Sequence, residues 1–108
     1  METMRQMNWV CYIVKCNDGT LYTGITNNVK LRVKAHNSGR GAKYCAQRLP
    51  VKLVFHTEPL GTRGHAAKYE AQVKKMSRLE KFELIDSHVN KHIEWHTVAN
   101  MPGVQRNL

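Results

Sequence analysis

WVCYIVKCNDGTLYTGI, residues 9–25, reads as two β-strands around a tight turn, and the register of that turn decides what the chain can build. The stretch holds two tyrosines, Tyr12 and Tyr22. A two-residue loop at Asp18-Gly19 makes the numbers of cross-strand partners sum to 37, which sends the tyrosines to opposite faces. A three-residue loop, Asn17-Asp18-Gly19, makes them sum to 36 and puts both tyrosines on one face. The longer loop needs a positive φ at its third position, where Gly19 stands, so it is the expected one. Tyr12 then lies opposite Gly24, with Tyr22 its diagonal neighbour at roughly 7–8 Å. A glycine facing a tyrosine leaves a notch that a ligand backbone can enter.

Outward from the hairpin, Trp9 to Cys16 is apolar on both faces, the pattern of a central strand covered on two sides. The second strand, Thr20 to Ile25, runs into Asn27-Asn28, good N-cap residues for a helix over Val29–Ser38 that Gly39 stops. A basic, glycine-punctuated loop follows, Gly39 to Tyr44, with a short helical turn through Arg48. Pro50 opens a third strand, Val51–Thr57, in which Val51, Leu53 and Phe55 alternate with Lys52, Val54 and His56. Residues 58–64 read as a loop, and a helix from about His65 to Met76 buries Ala66, Tyr69, Val73 and Met76. Ser77 is the expected cap of the next helix, Arg78 to about Asp86, with Glu80 as its partner three residues on. A last helical segment is expected from about Ser87 to His96. The economical architecture is α+β: a three-stranded antiparallel sheet flanked by helices, with a C-terminal helical extension. Its divisions are a flexible start over residues 1–8, one domain over 9–85, and the extension and tail over 86–108.

The 108 residues carry 17 Lys+Arg against 8 Asp+Glu, a net charge of +9 that points to a polyanionic partner, nucleic acid foremost. Arg40, Lys43 and Arg48 in the basic loop are the expected nucleic-acid contacts. Cys11, Cys16 and Cys45 do not form a disulfide framework, because Cys11 and Cys16 sit on opposite faces of one strand. Buried thiols in a reducing cytoplasm are the expectation. No apolar run is long enough for a membrane span, and the N-terminus lacks the apolar core of a signal peptide.

Two charged residues stand where apolar ones belong. Arg32 shares the stripe Val29, Arg32, Val33, His36 of the first helix, and Glu70 falls between Ala66 and Val73. Charged groups aimed inward are rarely left unpaired, and an internal salt bridge between the two would explain both. The alternative is chemical. Phosphodiester cleavage needs a group to activate water, a cation to neutralise the transition state, and a metal at the leaving oxygen. Tyrosine hydroxyls, one arginine, and one glutamate holding Mg²⁺ would supply them, since Mg²⁺ keeps most of its water and takes few protein ligands.

Tyr12, then Tyr22-Thr23-Gly24, then Arg32, then Glu70 in a later helix form an ordered string that resembles the GIY-YIG nuclease superfamily. The runs LYTGITNNVKLRVKAHNSGRGAKY, LPVKLVF and YEAQVKKMSRLEK resemble its small stand-alone YhbQ-like group over about residues 9–85. The resemblance implies the same three-stranded sheet and an endonuclease dependent on Mg²⁺ or Mn²⁺, acting on DNA that is branched or damaged, in repair, recombination or processing. It assigns Tyr12 to activating water, Tyr22 and Arg32 to the phosphate, Gly24 to the second motif, and Glu70 to the metal. His36, one turn past Arg32, is the candidate neighbour that helps Tyr12 lose its proton. A protein partner conferring specificity and a cytoplasmic, nucleoid-associated location in a bacterium are further expectations.

The chain departs from the pattern at Val10-Cys11, at Thr23, and at Ile25-Thr26, where a lysine is common; Lys43 is the candidate to replace that charge. The rival reading is a catalytically weak or inactive nucleic-acid-binding module of the same fold. His88, His92 and His96 recur every fourth residue, a spacing that can bind a transition metal, but Ile85, Val89 and Ile93 on the adjacent stripe explain the periodicity, so a solvated or partner-facing histidine edge is the expectation.

Overall fold

The computed structural model describes residues 7–92, with side chains through Ser87. In chain order the elements are β1 (Val10–Lys15), β2 (Leu21–Thr26), α1 (Val29–Asn37), α2 (Lys43–Ala46), β3 (Lys52–His56), α3 (Arg63–Lys74) and α4 (Arg78–His92). The sheet is antiparallel in the order β2-β1-β3, so the apolar first strand is central. This is the expected α+β architecture.

The hairpin closes through the three-residue loop. Gly19 has φ +87°, its N–H donates to Cys16 O (2.9 Å), and the Cys16 N–H donates to Thr20 O (2.8 Å). Asp18 Oδ1 fastens the turn by accepting from the Thr20 N–H (3.1 Å) and hydroxyl (2.6 Å). The resulting register pairs Tyr12 with Gly24 and Val14 with Tyr22, so both tyrosines share a face.

β1 separates two apolar layers. Cys11 and Ile13 pack with Phe55, Val73 and Ile85 under α3 and α4. Tyr12, Val14 and Cys16 pack with Cys45 and Val51, with Val33 of α1 partly buried against them. The pairing with β3 shifts between Ile13↔Phe55 and Val14↔Leu53, which leaves Val54 as the extra residue of a bulge. The bulge corrects the strict alternation expected for this strand. Val51 and Leu53 lie on the Tyr12 side, whereas Phe55 crosses to the Ile13 side.

The helix ends follow local chemistry. The Asn28 side chain accepts from the Leu31 N–H (3.1 Å) to start α1, and Gly39 at φ +84° follows its end. The Asn37 amide then grips the backbone of Val51 from both sides, accepting from its N–H (2.7 Å) and donating to its carbonyl (3.0 Å). Thr62 caps α3 by accepting from the His65 N–H, so this helix begins two residues earlier than expected and takes in Arg63 and Gly64. Ser77 and Glu80 form the reciprocal capping box of α4 (2.8 and 3.1 Å). The two helical segments expected after Ser77 are one helix through His92. Residues 1–6, the tail from residue 93, and the side chains of His88 and His92 lie outside the described residues, and His96 with them. Among the described residues no helix is long and apolar enough to cross a membrane, and all three cysteines are free and buried.

Ile13 has no exposed surface, while Leu31 is 62% exposed. Ile13→Ala is therefore expected to cost about 2–5 kcal/mol in urea unfolding. Leu31→Ala should stay within about 0.5 kcal/mol. Equal effects of the two would contradict this core.

Candidate active site

Tyr12 is 1% exposed, and its phenol oxygen ends in the layer between the sheet and α1. A buried hydroxyl needs partners, and α1 supplies two from successive turns. Arg32 donates its Nε–H to Tyr12 Oη at 3.3 Å, and His36 Nε2 stands 2.8 Å from the same oxygen. The direction of that second bond follows from the other side of the ring. The backbone N–H of Ala42 donates to His36 Nδ1 (3.3 Å), so in the neutral imidazole Nε2 carries the proton. Burial, and then the nearby Arg32 charge, push the His36 pKa down, which favours the neutral ring. His36 is thus a donor to Tyr12, and the phenol oxygen accepts twice. Burial pushes the Tyr12 pKa up to about 12, against the lowering effect of Arg32.

Two glycines make room for this arrangement. A Cβ on Gly24 would sit 2.6 Å from Tyr12 Oη and 2.8 Å from its Cζ, so the notch opposite the tyrosine is filled by the ring itself. A Cβ on Gly41 would collide with His36 Nδ1 and come within 2.7 Å of its Cα.

The Tyr22 and His36 rings meet in a T-shaped arrangement (centroids 5.5 Å, 71°), and Tyr22 lies nearly parallel to Tyr44 of α2 (6.2 Å, 22°). The Arg48 guanidinium covers Tyr44 at 3.8 Å, donates to the Tyr44 carbonyl (2.7 Å), and pairs with Asp18 (3.1 Å). Arg48 is therefore anchored in the fold rather than a free surface cation. Arg40 and Lys43 are exposed, as a nucleic-acid footprint requires.

The structure brings Tyr12, Tyr22, Arg32 and His36 together, beside Gly24. Glu70 approaches from the other side of the sheet. It shares the inward stripe of α3 with Ala66 and Val73, is 21% exposed, and pairs with Lys74 at 3.3 Å. The expected alternative, an Arg32–Glu70 salt bridge, is not formed, since each has its own partner. Glu70 lies near Cys11, whose thiol is pushed up to about 12, chiefly by burial and then by the Glu70 charge. Lys74 nevertheless lines a cleft of about 280 Å³ with Tyr22, Tyr44 and Lys81, which opens around the outer edge of β2. Among the described residues no cluster of three His, Cys, Asp or Glu is placed to hold a metal. A lone, half-buried carboxylate suits a hydrated Mg²⁺, so Glu70 fits that ion once Lys74 releases it.

Residues 8–83 match the family model of the GIY-YIG catalytic domain. The chain belongs to the GIY-YIG family. A UPF0213 protein of Syntrophus aciditrophicus is 55% identical over 68% of this chain and 85% of its own length. One of Clostridium perfringens is 45% identical over 88% of this chain and its whole length. The solution NMR structure of a UPF0213 protein of Bacillus halodurans is 42% identical, covers 74% of this chain and 84% of its own, and has a TM-score of 0.46.

In this GIY-YIG chain the departure at Cys11 falls on the face turned away from Tyr12, so it leaves the phenol's surroundings untouched. Four participants were invisible in the motif string: Gly41 and Ala42, which seat His36, Tyr44, and Lys74. The spacing of Tyr44 and Arg48, four apart, was the available signal for a cation–π pair on a helical turn.

NMR of the histidine side chains should show His36 neutral at pH 7 with the proton on Nε2 and a pKa below 6.5. Gly41→Ala is expected to lose that signature while the sheet persists. A proton on Nδ1 would contradict the double donation to Tyr12.

Proposed function

We propose that this chain is a divalent-metal-dependent endonuclease hydrolysing phosphodiester bonds in DNA, serving repair, recombination or processing of branched or damaged molecules. The observation that carries the reading is the Tyr12 oxygen receiving both the Arg32 and His36 donors. Two donors on one phenol oxygen stabilise a phenolate, which is what a tyrosine must become to take a proton from water. Arg32 also brings a permanent positive charge for the phosphate, and Tyr22 a second phenol beside His36. His36 acts by donation, as a positioning residue, rather than by removing the Tyr12 proton. Glu70 would hold Mg²⁺ or Mn²⁺, and a bound ion would supply Lewis-acid stabilisation to the leaving oxygen. Arg40 and Lys43 extend the contact to neighbouring phosphates, with a partner protein adding specificity.

A binding module without cleavage is the second reading, and the pKa of Tyr12 favours it. A phenol pushed up to about 12 is protonated at neutral pH, and Glu70 is engaged by Lys74. For cleavage, substrate and cation must reverse both conditions.

Incubation of the purified chain with branched, flapped, single- and double-stranded DNA separates the readings. Cleavage is expected with Mg²⁺ or Mn²⁺ and lost in EDTA. Arg32→Ala should slow it by about 10²–10³-fold, and Tyr12→Phe by about 10²–10⁴-fold. Glu70→Ala should abolish the metal response; cleavage unaffected by that change would sink the metal role. No cleavage of any substrate, with binding kept, selects the module. Because the deprotonated fraction of Tyr12 grows tenfold per pH unit below its pKa, the rate should climb steadily from about pH 6.5 to 9. Affinity should fall with salt at a log–log slope of roughly −0.9 per phosphate neutralised on duplex DNA.

A further inference from the structure

Arg48 ties the hairpin turn to α2. Its Nε–H donates to Asp18 Oδ2 in the turn (3.1 Å), and Nη1 donates to the Tyr44 carbonyl on α2 (2.7 Å). The guanidinium carbon lies over the Tyr44 ring, 3.8 Å from its centroid. The main chain joins in: the Arg48 N–H donates to the Cys45 carbonyl, and the Arg48 carbonyl accepts from the Asn17 N–H (2.9 Å each). An exposed ion pair contributes little alone. Here it is one link among several on a single residue, so α2 is fastened to the turn by side chain and main chain at once. Helix α2 passes that fastening on to the Tyr12 site. Its first turn hangs from Ala42, whose carbonyl accepts from the Cys45 and Ala46 N–H groups (3.0 Å each). The N–H of Ala42 donates to His36 Nδ1 (3.3 Å), and Nε2 across the ring donates to Tyr12 Oη (2.8 Å). With four residues and no side-chain cap, α2 does not hold Ala42 in place by its own hydrogen bonds. At 3.3 Å the bond to His36 is near the limit for an N–H donor, so a small displacement of α2 breaks it.

We infer that Arg48 is a positioning residue for the Tyr12 site, clamping α2 to the Asp18 turn so that Ala42 keeps the His36 proton on Nε2. Its catalytic consequence rests on the nuclease reading; the clamp itself belongs to the free protein. Without the clamp, the neutral imidazole can carry its proton on either nitrogen. A ring protonated on Nδ1 offers Nε2 as an acceptor, and Tyr12 then donates to it instead of receiving from it. The phenolate is left with Arg32 as its one donor from α1. This role differs from the phosphate contact that sequence suggests for Arg48. A phosphate contact needs positive charge, which lysine also has. The clamp needs a planar fork that reaches Asp18 and the Tyr44 carbonyl while stacking on the ring.

The test uses Arg48→Lys and Asp18→Asn in the full chain. Lysine keeps the positive charge. Asparagine keeps one oxygen for Thr20 and adds to the net positive charge, so neither change weakens attraction to a polyanion. In NMR of the free protein, His36 should hold its proton on Nε2 in the wild type and populate the Nδ1 form in both variants. Ile13→Ala, which loosens the opposite layer, should keep the wild-type signature. With a flapped DNA duplex and Mg²⁺, Arg48→Lys should lower kcat by about 10–100-fold, with Asp18→Asn in the same direction. KM and the salt slope of binding should stay within about twofold of wild type in both. An unchanged His36 signature in Arg48→Lys, or an effect confined to KM, would overturn the assignment. A changed signature in a protein that cleaves no DNA would keep the clamp and remove the nuclease reading. Cleavage by both variants at the wild-type rate, with the signature unchanged, would do the reverse.

Discussion

The phenol oxygen of Tyr12 sits inside the fold, and a buried oxygen without partners would cost on the order of 1–3 kcal/mol. Meeting that demand fixes much of the architecture around it. The three-residue turn at Asn17-Asp18-Gly19 puts Tyr12 opposite Gly24, the one residue type that leaves space for the ring. The Asn28 cap starts α1 so that Arg32 and His36 fall on the stripe facing the sheet. Gly41 then lets the following loop return close enough for Ala42 to seat the imidazole. Any of these alone is ordinary; together they aim two donors at one atom.

The electrostatics of that atom are balanced rather than committed. Burial favours the neutral phenol and Arg32 favours the phenolate, and the free protein leaves burial ahead. The Glu70 carboxylate is likewise neutralised by Lys74. A polyanion would draw Lys74 away from Glu70, whereas the Tyr12 phenolate would be favoured only by added positive charge, since a nearby anion raises a phenol's pKa. A surface with 17 Lys+Arg against 8 Asp+Glu concentrates such a polyanion before any specific contact is made.

The sequence made the central strand, the hairpin register and the inward Arg32 legible because each rests on local rules: period-two alternation, turn chemistry and helical spacing. The capping box at Ser77 was legible for the same reason. The β3 bulge was not, because Val51 to Phe55 alternates perfectly in sequence and only the long-range pairing with β1 displaces Val54. The role of His36 was half legible. Its spacing from Arg32 placed it at the site, but whether it gives or takes a proton depends on Ala42, a residue whose side chain says nothing. Tyr44 was overlooked since its spacing from Arg48 signals only a local pair, and its place beside Tyr22 depends on the long-range fold.

The position of Glu70 gives the outer edge of β2 its importance. Tyr12 and Arg32 stand on one face of the sheet, while α3 carries Glu70 on the other. A central strand would keep these sets apart, since side chains from its two faces cannot reach one ligand. An edge strand can be passed around, and β2 is an edge. Tyr22 on one side and Lys74 on the other line the same cleft, so a ligand passing over that edge would meet both sets. A free sheet edge is ordinarily a liability that invites pairing with another chain. Here Lys74 and Lys81 flank the edge, and lysines beside an open edge discourage such pairing.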